Sequence, residues 1–464
     1  MSRGKDLLKN TGILMIAKVS TQFIGFLLLP LYTTVLTTEE YGTVDIFTSM
    51  IMIIVPFLTL QLEMGLFRFF IIEVSEERRK TIITSSFIII LILLSVASGI
   101  YWGMASLIHI PYKVYIYFMY FTSAVYTVLL QVCRAYGNNK AYGFASFISS
   151  VFAICLNIIF ILLLGWRVEG IMLSYVIAHG VSSLYMLLRT KVFRYIDKRY
   201  LSKEESKKLL NYSIPLVFNQ ISSWAINYSD RLIILNAWGT GANGIYSVSN
   251  KFSNITNTFF NVYNIALTEN VIRGMDDQNN HEYVNKIFTL TFNLYLILVT
   301  GIVNLLPFFF DWLVNVNYRN AYGHVPVLML AMLFSGMSAT IGSIYIAYNR
   351  TKDITITTML AGICNIIIHL ILLKRIRLYA ASISTLLSFG LLFVYRLIYV
   401  QRFFKIEFDI KKILPQIFIF IAAWVGYSFK NYPIIISAFL SNLIFIGYAV
   451  LENKNEILQL LKKK

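Results

Sequence analysis

Charge is what this sequence has least of. Only 14% of its 464 residues are charged, against 57% hydrophobic. Soluble chains carry about 25% charged residues and about 45–50% apolar ones. So few charges cannot cover a water-exposed surface, which excludes a soluble enzyme and a disordered chain. Cysteine is also scarce: Cys133, Cys155 and Cys364 all fall inside apolar runs. They give neither a disulfide framework nor a metal-ligand spacing. Walker A, CxxC, HExxH and GxSxG patterns are absent, so no intrinsic ATPase is encoded and no metal site is expected. Long polar loops are missing too. The longest connector, at about 189–211, is too short to form a catalytic domain.

What remains is apolar and helical. A membrane-spanning helix needs about 20 mostly apolar residues. Apolar runs separated by short polar breaks give fourteen spans: 12–36, 43–66, 84–108, 114–133, 141–164, 170–188, 212–237, 244–268, 286–312, 325–347, 354–373, 379–399, 413–429 and 434–451. Closed barrels would instead show alternating ten-residue segments. The fold class expected is all-α, a polytopic integral membrane protein. The first run is too long for a signal-peptide core and reads as a retained span.

The formal net charge of +17 suggests nucleic acid at first sight. Its distribution says otherwise. With the N-terminus inside, 30 of the 40 Lys and Arg are assigned to the cytoplasmic side, densest at 189–208. Outer loops hold Lys113, Arg167, Arg319, Lys374, Arg375, Arg377 and Lys430, and Lys18, Arg231 and Lys251 sit inside spans. Basic residues collect in cytoplasmic loops. The bias puts both termini in the cytoplasm and removes the need for a polyanionic partner. Trp102, Trp166, Trp238, Trp312 and Trp424 lie near the outer ends of their spans, where amphipathic indoles favour the interface.

The chain repeats itself weakly. CRAYGNN at 133–139 and IAYNRTK at 346–352 each end one span and open the next, which carries Asn157 or Asn365 near its middle. EEYGTVDIF after span 1 echoes GANGIYSVSNKF after span 7. The expected organisation is a six-helix lobe at 1–188, a basic cytoplasmic connector at 189–211, and a parallel six-helix lobe at 212–400. Helices 13 and 14 follow at 413–451, and a cytoplasmic tail at 452–464. Paired halves around a central pathway are a transporter architecture, with the site at the repeat interface.

Polar residues inside spans carry the functional information, because each ionised group at mid-bilayer costs about 2.5–3.5 kcal/mol. In span 8, Asn250, Asn254, Asn257, Asn261 and Asn264 recur every three or four residues, with Lys251 beside them. Five amides thus share one helical face. Such a face reads as a water-filled, hydroxyl-binding wall with one fixed cation; its plainer alternative is interhelical hydrogen bonding. Span 7 carries Gln220, Ser223, Asn227 and Asp230 on a second stripe, with Arg231 adjacent. Asp230 and Arg231 read best as members of structural ion pairs. Lys18 and Gln22 lie one turn apart in span 1; Lys18 either snorkels to the interface or serves as a cavity cation. Asp45 in span 2 reads equally as a coupling-ion site and as the partner of a cation on another helix. Glu63 and Arg68 flank the inner end of span 2 as gate candidates or as a solvated pair. His179 and His369 read as hydrogen-bonded packing rather than proton relays.

These features together resemble the polysaccharide-transport flippases, of the O-antigen type, in the multidrug/oligosaccharidyl-lipid/polysaccharide exporter superfamily. PLYTTVLTTEEYG at the end of span 1, MGLFRFF in span 2, DRLIILNAWGTGANGIYSVSNKF from Asp230 to Phe252, and the Asn157/Asn365 repeat carry the resemblance. Tyr379-Ala380-Ala381 stands where that family usually starts span 12 with a Gly-Ala-Ala-like run. The resemblance implies two lobes that form a V and alternate access, in the bacterial cytoplasmic membrane. The implied cargo is an undecaprenyl-diphosphate-linked oligosaccharide moved from the inner to the outer leaflet, with Lys18 and Lys251 as cavity cations. Membrane lipids and other polysaccharide-assembly membrane proteins are the implied partners; no cofactor is implied. Membrane potential, H+ or Na+ would supply the energy. A multidrug or cation antiporter of the same superfamily, kept open by Asp45 and Asp230, is the nearest rival. A membrane glycosyltransferase or glycan polymerase is a more distant one.

Overall fold

The computed structural model describes residues 26–273, 280–348 and 350–452. Its described elements are helical: α1 (Leu29–Val35), α2 (Thr38–Thr59), α3 (Leu62–Ile72), α4 (Glu76–Leu107), α5 (Lys113–Ala135), α6 (Asn139–Ile158), α7 (Val168–Thr190), α8 (Lys203–Arg273), α9 (Asn280–Leu313), α10 (Val325–Ala347), α11 (Thr351–Ile376), α12 (Tyr379–Val400), α13 (Ile410–Phe429) and α14 (Tyr432–Glu452). Among the described residues, eleven segments are long and apolar enough to cross a membrane. They correspond to spans 2–6 and 9–14 of the sequence reading. Most of span 1 lies outside the described residues. Spans 7 and 8 form the 71-residue α8, broken at Gly239, which has φ 79°. They are absent from the eleven because their own amides and charges dilute the apolar run.

Local chemistry sets the helix boundaries. Thr37 and Glu40 form a reciprocal cap at the start of α2: the Glu40 N–H donates to Thr37 Oγ1 at 3.2 Å and the Thr37 N–H to Glu40 Oε2 at 2.8 Å. Leu60 and Gln61 both adopt left-handed backbone, with φ 47° and 56°. They split the single span expected at 43–66 into α2 and α3, four residues after Pro56, which has no N–H to give the helix. The two repeat turns close alike: the Asn138 N–H donates to Cys133 O at 2.9 Å, and the Arg350 N–H to Tyr345 O at 2.7 Å. Asn365 is buried in the middle of α11, whereas Asn157, also buried, lies at the end of α6 rather than near its middle.

The chain packs as two compact units, Met1–Gly244 and Ile245–Lys464. The first contains α1–α7 and α8 as far as Gly244. Two apolar clusters fill it: Leu66, Phe70, Ile83, Val132 and Met186 in one, Val55, Leu62, Ile90, Val128 and Leu209 in the other. The second contains the rest of α8 and α9–α14, with α10 the most buried of its spans. Helices α13 and α14 are fastened to α9 by amides. Gln416 Nε2 donates to Asn442 Oδ1 at 2.7 Å, and Asn442 Nδ2 to Ile297 O at 3.3 Å.

Within the first unit, α2 meets the stretch of α8 after Gly239 backbone to backbone. A Cβ on Gly42 would run into Thr240 O, and one on Gly244 into Thr38 O. Neither obstacle is a flexible side chain, so the approach requires glycine at both places. Gly42→Val is therefore expected to destabilise the protein by about 1–3 kcal/mol, the usual cost of overpacking. Thermal unfolding of the detergent-purified variant measures it, and an unchanged midpoint contradicts it.

Candidate functional site

The amide stripe of span 8 does lie along one face of α8, in the second unit. Its members have different surroundings. Phe252, Ser253, Thr256 and Phe260 are buried and mark the face packed against the unit's own core. The face of Asn250, Asn254, Asn257 and Asn261 is turned about a third of a turn away. Asn250, Asn254 and Asn257 are half-buried and Asn261 is exposed. Two of them bond along the helix: Asn250 Nδ2 donates to Tyr246 O at 3.0 Å and Asn261 Nδ2 to Asn257 Oδ1 at 3.4 Å. Asn264 departs from the row. It is buried, donates to Gly336 O at 3.3 Å and accepts from Thr340 Oγ1 at 2.7 Å. Asn264 thus joins α8 to α10, as the packing alternative describes, while the other four leave amide capacity on an accessible face. Lys251 is half-buried.

The charged residues of spans 2 and 7 come together in the first unit. Arg231 Nε lies 2.8 Å from Asp45 Oδ2, and both side chains are almost wholly buried. Asn243 Nδ2 donates to the same carboxylate oxygen at 3.3 Å and to Gly42 O at 3.0 Å. Arg231 Nη1 donates to Asn227 O at 3.2 Å, and its guanidinium lies 4.9 Å from the centre of the Tyr228 ring. Asp45 thus has a cation on another helix as its partner, as one of its two readings describes. Asp230 is buried beside Arg231. Gln220 is half-buried, and the exposed Asn227 returns its amide to Ser223 O at 2.8 Å.

Glu63 and Arg68 do not form a pair. Glu63 is 2% exposed in the first turn of α3, just past the left-handed break, with one carboxyl oxygen unpartnered. Arg68 is exposed and stacks over Tyr212 at 4.6 Å. Lys18 and Gln22 lie outside the described residues. His179 bonds Ser123 Oγ at 3.1 Å and stacks on Tyr126 at 4.4 Å, which is packing chemistry; His369 is buried.

One residue escaped the sequence reading. The charge count puts Arg396 on the cytoplasmic side, but it is buried in the second unit. Its guanidinium donates to Thr357 Oγ1 and Thr358 Oγ1, both at 2.9 Å, and to Ser338 O and Ile354 O, both at 3.0 Å. It ties α12 to α10 and α11 through neutral acceptors. The signal was its place one turn inside a span, three residues before Tyr399.

The described residues thus form a bundle of apolar helices that carries amides and charges at buried and half-buried positions. Solved structures agree at the level of fold. A lipid II flippase MurJ in an inward closed conformation superposes with a TM-score of 0.72 at 14% identity, covering 97% of this chain and 100% of that one. A multidrug resistance MATE family transporter of the MOP superfamily, inward-facing, gives 0.68 at 16% identity over 84% and 98%. A point mutant of the Vibrio cholerae MATE transporter VcmN gives 0.56 at 13% over 86% and 97%. The chain belongs to the polysaccharide biosynthesis protein family, whose profile matches residues 7–268. A search of curated protein sequences finds no match.

Two outcomes follow from this geometry. Arg231→Met strands Asp45 in a buried place and is expected to cost about 3–5 kcal/mol, whereas adding Asp45→Leu restores most of the loss. Thermal unfolding of the single and double variants measures both, and a double variant as unstable as the single one contradicts the pairing. In a background lacking the three native cysteines, Asn254→Cys and Asn257→Cys are expected to react with membrane-impermeant thiol reagents, while Val248→Cys, which is fully buried, does not. Protection of all three would make the stripe a packing surface.

Proposed function

We propose that this protein is a flippase that moves an undecaprenyl-diphosphate-linked oligosaccharide from the inner to the outer leaflet of a bacterial cytoplasmic membrane, with both termini in the cytoplasm. The accessible amide face of α8, with Lys251 beside it, carries the reading. A sugar head group cannot cross lipid alone, because each unmatched polar group costs several kcal/mol. Amides both donate and accept, so a row of them replaces water around hydroxyls, and a lysine offsets diphosphate charge. The lipid tail stays in the bilayer. An inside-negative potential favours outward movement of an anion by about 2.3 kcal/mol per charge per 100 mV.

The alternative of a cation antiporter needs an open carboxylate to bind cationic cargo or a coupling ion. Asp45 is engaged by Arg231 and Asn243, and the accessible row on α8 is amide and lysine. This favours anionic cargo. Deleting the gene in its host is expected to make the lipid-linked oligosaccharide accumulate on the cytoplasmic face. The wild-type gene should reverse this; Lys251→Ala should not, despite normal expression, and Lys251→Arg should do so in part. Normal delivery of the intermediate to the outer face, in a strain without a second transporter of this family, overturns the flippase reading.

A further inference from the structure

The basic connector between α7 and α8 is folded, and its position is set by the membrane helix beneath it. Thr84 Oγ1 donates to Tyr195 O at 2.9 Å and accepts from the Asp197 N–H at 3.2 Å, and the Ser202 N–H donates to Ser85 Oγ at 3.3 Å. Thr84 and Ser85 open the apolar run of α4. The connector is therefore pinned to α4 where its apolar run begins. Val192 is fully buried and plugs it into the first unit's core. Two short 3₁₀ turns, Val192–Tyr195 and Lys198–Tyr200, shape the rest.

Its outer surface has an unusual composition for a solvated loop. Phe193 is 63% and Leu201 49% exposed. Around them Arg189, Lys191, Arg194, Lys198, Lys203 and Lys207 are exposed and form no salt bridge with a described residue. Of the three carboxylates in this stretch, Asp197 is held by Arg199 at 2.7 Å and Glu205 lies 3.8 Å from Lys208. The Arg199 bonds hold the Asp197 carboxyl below its usual range. Glu204 alone is left to offset six cations. The positive-inside rule accounts for cations here, but not for an exposed phenylalanine and leucine held among them beside the start of an apolar run.

We infer that this surface docks onto anionic phospholipid headgroups of the cytoplasmic leaflet, with Phe193 and Leu201 entering the interface and the cations meeting phosphate. Large apolar side chains flanked by lysine and arginine are the composition of interfacial anchors. A polybasic segment immediately beside a span is attracted to anionic lipid over about a Debye length. Docking would hold the inner ends of α7 and α8 at a set depth, whatever cargo the protein carries.

The test uses the full-length protein in nanodiscs, which expose both faces. One set contains phosphatidylcholine alone; the other is a 7:3 mixture with phosphatidylglycerol. Chymotrypsin cuts after Phe193, Tyr195, Tyr200 and Leu201. Connector cleavage is expected to be about tenfold slower in the mixed discs, with the difference lost in high salt. The R194Q/K198Q/K203Q variant should be cut at the same rate in both lipids, with an unchanged unfolding midpoint in detergent as its folding control. Should that midpoint fall, the wild-type salt dependence decides instead. Equal wild-type cleavage in both lipids overturns the inference and leaves the surface to a soluble acidic partner. Equal protection in both overturns it as well, since charge would then have no part.

Discussion

A polar group inside a membrane must be answered by another group or by water, and much of this structure follows from that constraint. Water cannot reach most of the bundle, so a carboxylate, amide or guanidinium left alone there costs more than any single packing contact returns. The Asp45–Arg231 pair is the clearest instance. It joins α2 to α8, accepts a third partner in Asn243, and coincides with the place where Gly42 and Gly244 let the two backbones approach. The ion pair and the close approach occur together: the glycines bring the two backbones near, and the pair answers each buried charge with its opposite.

In the second unit neutral groups meet the same constraint around Arg396 and the buried amides. Arg396 satisfies its guanidinium with hydroxyls and carbonyls from two neighbouring helices. Gln416 and Asn442 answer one another and hold α13 and α14 to α9. Asn264 closes α8 onto α10. Against this background, the amides of Asn250, Asn254, Asn257 and Asn261 stand out, because their bonds run along their own helix and leave a half-exposed polar row. A row of that kind suits a head group that brings its own hydroxyls. It also explains why the helix that bears it is too polar to count as a span by composition.

Much of this was legible in sequence because helical period is a strong signal. The spacing of the asparagines placed them on one face, and the in-span position of Arg231 marked it as a buried cation. The burial of Arg396 was not legible because a cation one turn inside a span looks the same in sequence whether it snorkels outward or turns inward. Asn264 was grouped with its stripe because periodicity assigns a face but not what lies opposite it. Asp45 was left between two readings because its partner is 186 positions away along the chain.

The sequence by itself determined the class: low charge and fourteen apolar runs leave only a helical membrane bundle, and the hydrophobic effect acts on composition without reference to partners. It also determined where helices begin, since caps such as Thr37 and Glu40 are local. Tertiary structure alone decided which polar residues are answered and which stay available. It buried Glu63 while turning Arg68 outward, and paired Asp45 with Arg231. Each of these depends on neighbours far along the chain, and burial and hydrogen bonding are properties of those neighbours rather than of the residue.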